Sequence, residues 1–238
     1  MLGELLKESF PGFSKEALKF LKDLKYPAKN NKAWFDENRE RYDAFIREPM
    51  RHLIDTLAEE VSKLDRDIVV NYKSIFRINR DIRFSKVKTP YKTMSSAAFA
   101  FNKNKSAELP QFYFHFSPEE FLFASGQYSM DPVLLKKIRR YIFENFDEYK
   151  SIVANKKFKS RYGDVNGETL SKLPNDFKGN PVVEKNPMLV NTLKMKQFYV
   201  FETHDPKVVL DESIIRIILD NIKATHDFTK YLTEAIRI

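Results

Sequence analysis

The sequence feature that most limits the possible folds is a set of short stretches in which aromatic residues recur at every second position. These stretches are residues 98–101, 112–116, 121–123 and 198–201. Side chains two residues apart lie on the same face of a strand, and aromatic residues favour strands. Ser-Pro-Glu-Glu at 117–120 suits a hairpin turn, with proline at its second position. The middle of the chain is therefore predicted to contain a β-sheet.

Before this region the apolar residues recur at helical spacing. Ser14 can cap a first helix, Asn31 can start a second, and Pro49 suits the first turn of a third. A single helical face of the second helix would hold Trp34, Asn38, Tyr42 and Phe45. The N-terminal part is therefore predicted to be helical.

Helical spacing returns after the aromatic stretches. Asp131 followed by proline predicts a helix start, with the helix running to about Asn145, and residues 215–235 predict C-terminal helices. Residues 161–187 are rich in Gly, Pro and Asn and are predicted to be irregular. Helices, then clustered strands, then helices indicate an α+β fold with a largely antiparallel sheet. No linker separates domains, so residues 1–238 are expected to form a single domain.

The excess of positive over negative charge is confined to one region of the chain. The protein has 41 Lys and Arg against 33 Asp and Glu, a net charge of +8. Residues 71–105 hold nine of the bases and a single acid, Asp81, so the rest of the chain is balanced. Within this window, residues 76–93 carry six bases and are called the basic segment below.

The residue types of the basic segment suit the binding of a phosphate or carboxylate group. Arginine offers a planar fork of hydrogen-bond donors, and lysine adds positive charge. Asp81 would keep one arginine oriented, and a tyrosine adds a hydroxyl and a stacking face. The candidate ligand-binding residues are Arg77, Arg80, Asp81, Arg83, Lys88, Tyr91 and Lys92.

The sequence allows more than one arrangement of Arg77, Arg80 and Arg83. Their spacing of three places them along one side of a helical turn, where Arg77 and Asp81 could pair, or at irregular angles around a bend. The arginines could also form a structural network with acids of the N-terminal helices. Those acids are Glu37, Glu40, Glu59 and Glu60.

The sequence lacks the motifs of several classes of active site. The chain has no cysteine, which excludes thiolate metal sites and a cysteine nucleophile. The six glycines are too far apart for a dinucleotide fingerprint or a P-loop, and the four histidines have no metal-ligand spacing. No cofactor and no metal are expected, the catalytic residues are unknown, and enzymatic activity is open.

Two histidines nevertheless allow a functional interpretation. His115 alternates with phenylalanines and lies on the opposite strand face, where it could act as a general base or be a covered strand histidine. His204 and Asp205 could form an oriented pair or a simple loop dipeptide. The structural interpretation is favoured for both.

A long motif in the basic segment resembles the motif of a known family. It reads F-R-I-x-R-D-x-R-F-S-K-x-K-x-P-Y-K-T over residues 76–93 and follows Trp34-Phe35, Tyr42 and Pro49. The chain resembles a conserved hypothetical family of bacteria and fungi, domain of unknown function 2461, over about residues 15–235. The resemblance implies one structural unit and no catalytic residue, since the family has no assigned activity.

Three functions from different classes fit these observations. The favoured hypothesis is a binding module or enzyme for a small anionic ligand. The second is a nucleic-acid-binding protein that uses the basic window 71–105 together with its aromatic residues. The third is a non-enzymatic interaction protein whose arginines are structural. The aromatic residues of the second hypothesis are Tyr72, Phe76, Phe84, Tyr91, Phe99 and Phe101.

Location and partners are predicted from the absence of targeting features. The first residues, MLGELLKESFPGF, lack the basic region and apolar run of a signal peptide. No stretch approaches the ~20 apolar residues of a membrane span. A cytoplasmic protein without a membrane partner is expected, and its oligomeric state is open.

Overall fold

The computed structural model describes residues 8–101, 109–129 and 131–237 of the chain. Its four-stranded antiparallel sheet has the strand order β1-β2-β3-β4. The strands are β1 (Ser95–Phe99), β2 (Gln111–Phe116), β3 (Phe121–Gln127) and β4 (Phe198–His204). Strands β2, β3 and β4 contain the aromatic stretches predicted to be strands, whereas β1 begins earlier than its predicted stretch, 98–101, and ends at Phe99. Helices precede and follow the strands. The predicted α+β fold is therefore confirmed.

The helices differ widely in length. The N-terminal helices are α1 (Lys15–Asp23), α2 (Lys32–Glu37), α3 (Arg39–Tyr42) and α4 (Glu48–Leu64). Between β3 and β4 lie α5 (Pro132–Glu144), α6 (Phe146–Ala154), α7 (Lys156–Tyr162), α8 (Pro181–Glu184) and α9 (Pro187–Lys194). The C-terminal helix is α10 (Ser213–Arg237). No helix of the described ranges is long and apolar enough to cross a membrane.

The chain divides into two compact units. The first takes residues from 1–99, 113–123 and 203–220, and the second takes them from 100–112, 124–202 and 221–238. Strands β2, β3 and β4 each contribute residues to both units. The single domain expected from the sequence stays a prediction.

The first unit has an aromatic core beneath its helices. The Phe13 ring contacts both Phe10 and Phe116, at centroid distances of 4.9 and 4.4 Å. In the part of β2 that belongs to this unit, Phe114 and Phe116 alternate with Tyr113 and His115, and both phenylalanines are fully buried. The alternation predicted from the sequence therefore places one face of β2 in the protein interior.

The second unit has its own core, formed by α5 to α9, β4 and the C-terminal part of α10. Ile138, Phe198, Phe228 and Tyr231 are each almost completely buried there. The Tyr231 hydroxyl donates a 3.1 Å hydrogen bond to the Asn145 carbonyl. Burial of these large side chains supplies most of the drive for the unit to fold.

The helix predicted from Asn31 onward is broken in the structure. Asn31 caps α2 as predicted, accepting a 3.0 Å hydrogen bond from the Trp34 N–H. The helix ends at Asn38, whose side chain donates to the Trp34 carbonyl. A π-helical turn at Asp43–Arg47 then adds a residue to the helical period. Ile46 is consequently the buried residue here, not the predicted Phe45.

Strand β3 and helix α10 approach each other closely in the second unit. The Ser125 hydroxyl hydrogen-bonds to that of Thr229, and both residues are buried. Thr225, Thr229 and Thr233 each donate to the backbone carbonyl four residues earlier. Their hydroxyls are thereby satisfied, so small polar residues can line the contact. Next to Ser125 stands Gly126, which has a φ of +115°.

Candidate anion-binding site on the basic segment

The basic segment folds back on itself as a narrow two-stranded loop. The Arg80 N–H donates to the Pro90 carbonyl, and the Lys92 N–H donates to the Ile78 carbonyl, each at 2.8 Å. These bonds place the two halves of residues 76–93 antiparallel. The segment is therefore not helical, and the three arginines lie at irregular angles around a bend.

Asp81 pairs with Arg83 and not with Arg77. The Arg83 guanidinium donates to both carboxylate oxygens, at 3.0 and 2.7 Å, and the Arg83 N–H donates to one of them at 3.2 Å. These bonds, with the charge of Arg77, lower the pKa of the Asp81 carboxyl. Both partners are exposed, and such pairs add little stability. Asp81 is accordingly ionised at neutral pH and a poor general base.

Arg80 holds the shape of the loop. One terminal nitrogen donates to the Thr89 carbonyl at 3.1 Å and to the Thr89 hydroxyl at 2.8 Å. The other donates to the Ser85 hydroxyl at 3.3 Å. All three acceptors are uncharged, so the positive charge of Arg80 is not neutralised by them.

The two candidate lysines also bind backbone carbonyls of the segment. The Lys88 ammonium donates to Ile82 at 3.0 Å, and the Lys92 ammonium donates to Arg77 at 2.9 Å. Lys92 additionally lies 5.4 Å above the centre of the Phe76 ring. Burial, and next the charge of Arg77, lower the pKa of Lys92. Lys92 and Arg77 are thus neighbouring cations that repel each other.

Tyr91 lies in the core of the first unit. Its ring stacks on Phe35 at a centroid distance of 4.0 Å, and the residue is 6% exposed. The side chain of Asn30, itself buried, accepts from the Tyr91 N–H at 2.9 Å and donates to its carbonyl at 3.0 Å. Tyr91 therefore positions the base of the basic segment, and its ring is not placed to stack on a ligand.

The outer end of the segment is the loop tip, defined as residues 83–88. Phe84 is 95% exposed and Val87 is 57% exposed. Lys86 and Lys88 on either side of Val87 are exposed as well. The tip therefore combines apolar and positively charged side chains in contact with solvent.

The acids of the N-terminal helices do not neutralise the basic segment. Glu59 and Glu60 both pair with Lys63, at 3.1 and 2.7 Å. Within the described ranges, no ion pair joins the segment to Glu37 or Glu40 either. A charged network between the arginines and these acids is therefore absent from that part of the chain, and the structural role of Arg80 depends on neutral oxygens.

Comparison with known families gives a match over nearly the whole chain. The model of a family described as "Conserved hypothetical protein (DUF2461)" matches residues 16–231. The chain belongs to the DUF2461 family. No curated protein matches it. The family has no known function, so the match carries no catalytic or binding residue to this chain.

In this DUF2461 chain, His115 is a covered strand histidine. Its side chain is 12% exposed, and its Nε2 lies 3.3 Å from a Glu120 carboxylate oxygen. Burial lowers the pKa of His115, and the hydrogen bond with Glu120 opposes this shift. The other ring nitrogen, Nδ1, is buried and has no hydrogen-bond partner within residues 8–101, 109–129 and 131–237. This geometry does not present the ring to a dissolved ligand.

Asp205 acts as a helix cap. Its carboxylate accepts a 2.8 Å hydrogen bond from the Lys207 N–H at the start of a short 3₁₀ turn, and the His204 ring packs 6.0 Å from Phe121. The two side chains therefore have separate structural roles. No group of three or more His, Asp or Glu in the described part of this family member could hold a metal ion.

The second unit contains a cavity of about 840 Å³ that was not predicted from the sequence. Its lining includes Tyr149, Val153, Val165, Met188 and Met195. Burial raises the pKa of the Tyr149 hydroxyl, which is therefore neutral at physiological pH. Helices and loops distant in sequence form this lining, so no local pattern indicated it. Its mainly apolar chemistry differs from that of the basic segment.

One further contact was missed from the sequence. Asn30 has no local pattern that relates it to Tyr91, because its partner is 61 residues away.

The aromatic residues of the nucleic-acid hypothesis differ in exposure. Phe84 is exposed, as a stacking ring must be, whereas Phe99 and Phe101 belong to the core together with Tyr91. The part of its basic window at 102–105 lies outside the described residues.

Proposed function

We propose that this protein binds a small anion through a phosphate or carboxylate group, with Arg77 and Lys92 as the direct contacts. The observation that carries the proposal is the juxtaposition of these two cations. The Lys92 ammonium is bound to the Arg77 carbonyl, is partly buried above Phe76, and has its pKa lowered by burial and by the Arg77 charge. An anion between the two side chains would remove this repulsion and satisfy their remaining donors.

The other candidate residues then have positioning roles. Arg80 and Lys88 hold the loop through hydrogen bonds to its own oxygens, and Tyr91 anchors its base in the core. Asp81 is already neutralised by Arg83, so it does not compete with a ligand for Arg77. The site needs no metal or cofactor for binding, and the proposal assigns no reaction.

The decisive variant is Lys92→Met, which removes the charge and keeps a side chain of similar length. Isothermal titration with inorganic phosphate and with a dicarboxylate should give one site in the wild type. A charge-assisted hydrogen bond is worth roughly 1.5–3 kcal/mol, so Lys92→Met should weaken binding about 10- to 100-fold. Lys86→Met, at an exposed lysine of the same segment, is the matched control and should bind within about twofold of wild type. Equal affinity of the folded Lys92→Met variant and wild type would contradict the proposal.

Anion binding should also take up protons at alkaline pH. A bound anion favours the charged ammonium, so it raises the pKa of Lys92 from its lowered value in the free protein. Affinity should therefore fall as the pH rises through that lowered pKa. Titration in two buffers of different ionisation enthalpy measures the proton uptake, and Lys92→Met should abolish it.

A second candidate, an interaction protein with structural arginines, is favoured by the hydrogen bonds of Arg80 to Thr89 and Ser85. On this view Arg80→Met should lower the free energy of unfolding by about 2 kcal/mol, because partly buried oxygens lose their donors. Arg83→Met is the control and should leave unfolding unchanged, since its ion pair is exposed. Urea denaturation measures both. If the Arg80 variant is destabilised and the wild type binds none of the tested anions, this second function replaces the first.

A further inference from the structure

The loop tip, residues 83–88, exposes two apolar side chains within one short stretch of the chain. Phe84, at 95%, is the most exposed large hydrophobic residue in the described part of the chain, and Val87 is 57% exposed. Exposed apolar groups beside charges are typical of interaction surfaces. We propose that the loop tip docks on the surface of an anionic lipid bilayer, with Phe84 and Val87 entering the interface.

The tip is held in a conformation that keeps these side chains outward. The Ser85 hydroxyl accepts from the Val87 N–H at 3.2 Å and from Arg80 at 3.3 Å, and the Ser85 N–H donates to the Ile82 carbonyl at 3.3 Å. The backbone between Phe84 and Val87 is thus tied to the base of the loop. Because the shape exists before contact, docking costs less ordering entropy than it would for a flexible loop.

The charges of the tip complement an anionic surface. Lys86 and Lys88 flank Val87, and the Arg83 guanidinium lies 5.8 Å from the centre of the Phe84 ring. The whole basic segment carries six bases and one acid. A basic residue near an anionic membrane strengthens binding roughly fivefold. Apolar side chains next to basic ones are also the composition of interfacial membrane anchors.

A bilayer is a better partner for this tip than nucleic acid, because the side chain of Val87 is aliphatic. A base needs a flat ring to stack on, so an aliphatic side chain gains little from single-stranded nucleic acid. A bilayer interface accepts both Phe84 and Val87. Of the other rings that could continue a stacking surface, Tyr91, Phe99 and Phe101 are buried. Phe76 is covered on one side by Lys92, and the exposed Tyr72 is held by a hydrogen bond to Asp55.

The inference rests on the proposed preference of the basic segment for anions and names the headgroups of a bilayer as their source. It uses different side chains from the phosphate site, which depends on Arg77 and Lys92. The absence of a spanning helix from the described ranges does not bear on docking by a loop. The two proposals can therefore fail separately.

The experiment is co-sedimentation of the full chain with vesicles of phosphatidylcholine alone or mixed with phosphatidylserine. Wild type should sediment with the mixed vesicles only, and less so at high salt. The double variant Phe84→Ser/Val87→Ser should bind at least about tenfold more weakly, because it loses the apolar insertion. Val182→Ser, at a 66% exposed valine of the second unit, is the matched control and should bind like wild type. Thermal melting should be unchanged in every variant, since these side chains are exposed.

Three results would overturn the inference. The first is wild-type sedimentation that the double variant retains. The second is no sedimentation with either vesicle while free phosphate still binds in the titration; the anion site would then stand without the bilayer. The third is binding of oligothymidylate, not vesicles, weakened by Phe84→Ser and untouched by Val87→Ser, which would assign the tip to single-stranded nucleic acid.

Discussion

Replacing Gly126 with alanine is expected to destabilise the protein by about 4 kcal/mol, because the added methyl group combines backbone strain with a steric clash. Gly126 has a φ of +115°, which L-residues rarely adopt. An added Cβ would lie 2.9 Å from the Phe228 ring and closer still to the Phe198 carbonyl. The carbonyl is part of the backbone of the neighbouring strand β4, and the ring of Phe228 is buried, so neither can give way easily. Urea denaturation of the purified variant measures the loss.

Gly163→Ala is the matched control for this prediction. Gly163 also has a positive φ, +69°, but an added Cβ would meet nothing within 4 Å. It follows α7 with a φ of +69° and a ψ of −126°, a conformation that glycine adopts readily, and its N–H donates to the Lys159 carbonyl. The substitution should therefore cost only the backbone strain, about 2 kcal/mol. Equal destabilisation by the two variants would show that packing against Phe198 and Phe228 is not what requires glycine at position 126.

The fold could be predicted from the sequence where the determinants are local. Alternating aromatic residues predicted the positions of β2, β3 and β4 and only the end of β1. The Asp131 cap predicted α5, since its carboxylate accepts from the Val133 and Leu134 N–H groups. Ser14 occupies the N-cap position of α1, but its side chain makes no capping bond. Cap position is encoded by nearby backbone preferences, whereas the hydrogen bond also depends on the rotamer that the capping side chain adopts.

The second N-terminal helix could not be predicted correctly because the period itself changes. A face at constant spacing required Phe45 to point inward, but the π-turn at Asp43–Arg47 rotates the chain so that Ile46 does. A π-turn has no compositional pattern comparable to a cap or a proline. With the π-turn in place Ile46 is 2% exposed, a position that the spacing of a regular helix does not predict.

The sequence indicated the clustered charge of the candidate site, but not the contacts that its residues make. Clustered bases are visible from sequence alone. Whether an arginine faces solvent or its own loop depends on which oxygens lie within reach, and Arg80 finds such oxygens on Thr89 and Ser85. The outward position of Phe84 follows from the same closed loop. The contacts of each residue therefore depend on the geometry of the loop, which the spacing of residues in the sequence does not determine.

Replacing Asn30 with alanine should cost about 3 kcal/mol and also weaken anion binding. In the narrow loop of the basic segment, the N–H and carbonyl of Tyr91 point away from the opposite half, and the Asn30 side chain satisfies both. The same amide donates to the Leu24 carbonyl at 2.7 Å. Alanine would leave these buried groups without their partner, and it would free the strand that carries Lys92. Urea denaturation and phosphate titration together measure the two effects.

Asn31→Ala separates this role from a general effect of losing an asparagine. Asn31 is the adjacent residue and caps α2, so its loss should cost about 1 kcal/mol and leave phosphate affinity unchanged. Asn30, by contrast, connects the end of α1 to the base of the basic segment. If Asn30→Ala weakens phosphate binding at a temperature where the variant is still folded, the anion site depends on the position of Lys92 and not on charge density alone. If affinity is unchanged, the lysine needs no fixed position, and the site is a diffuse positive surface.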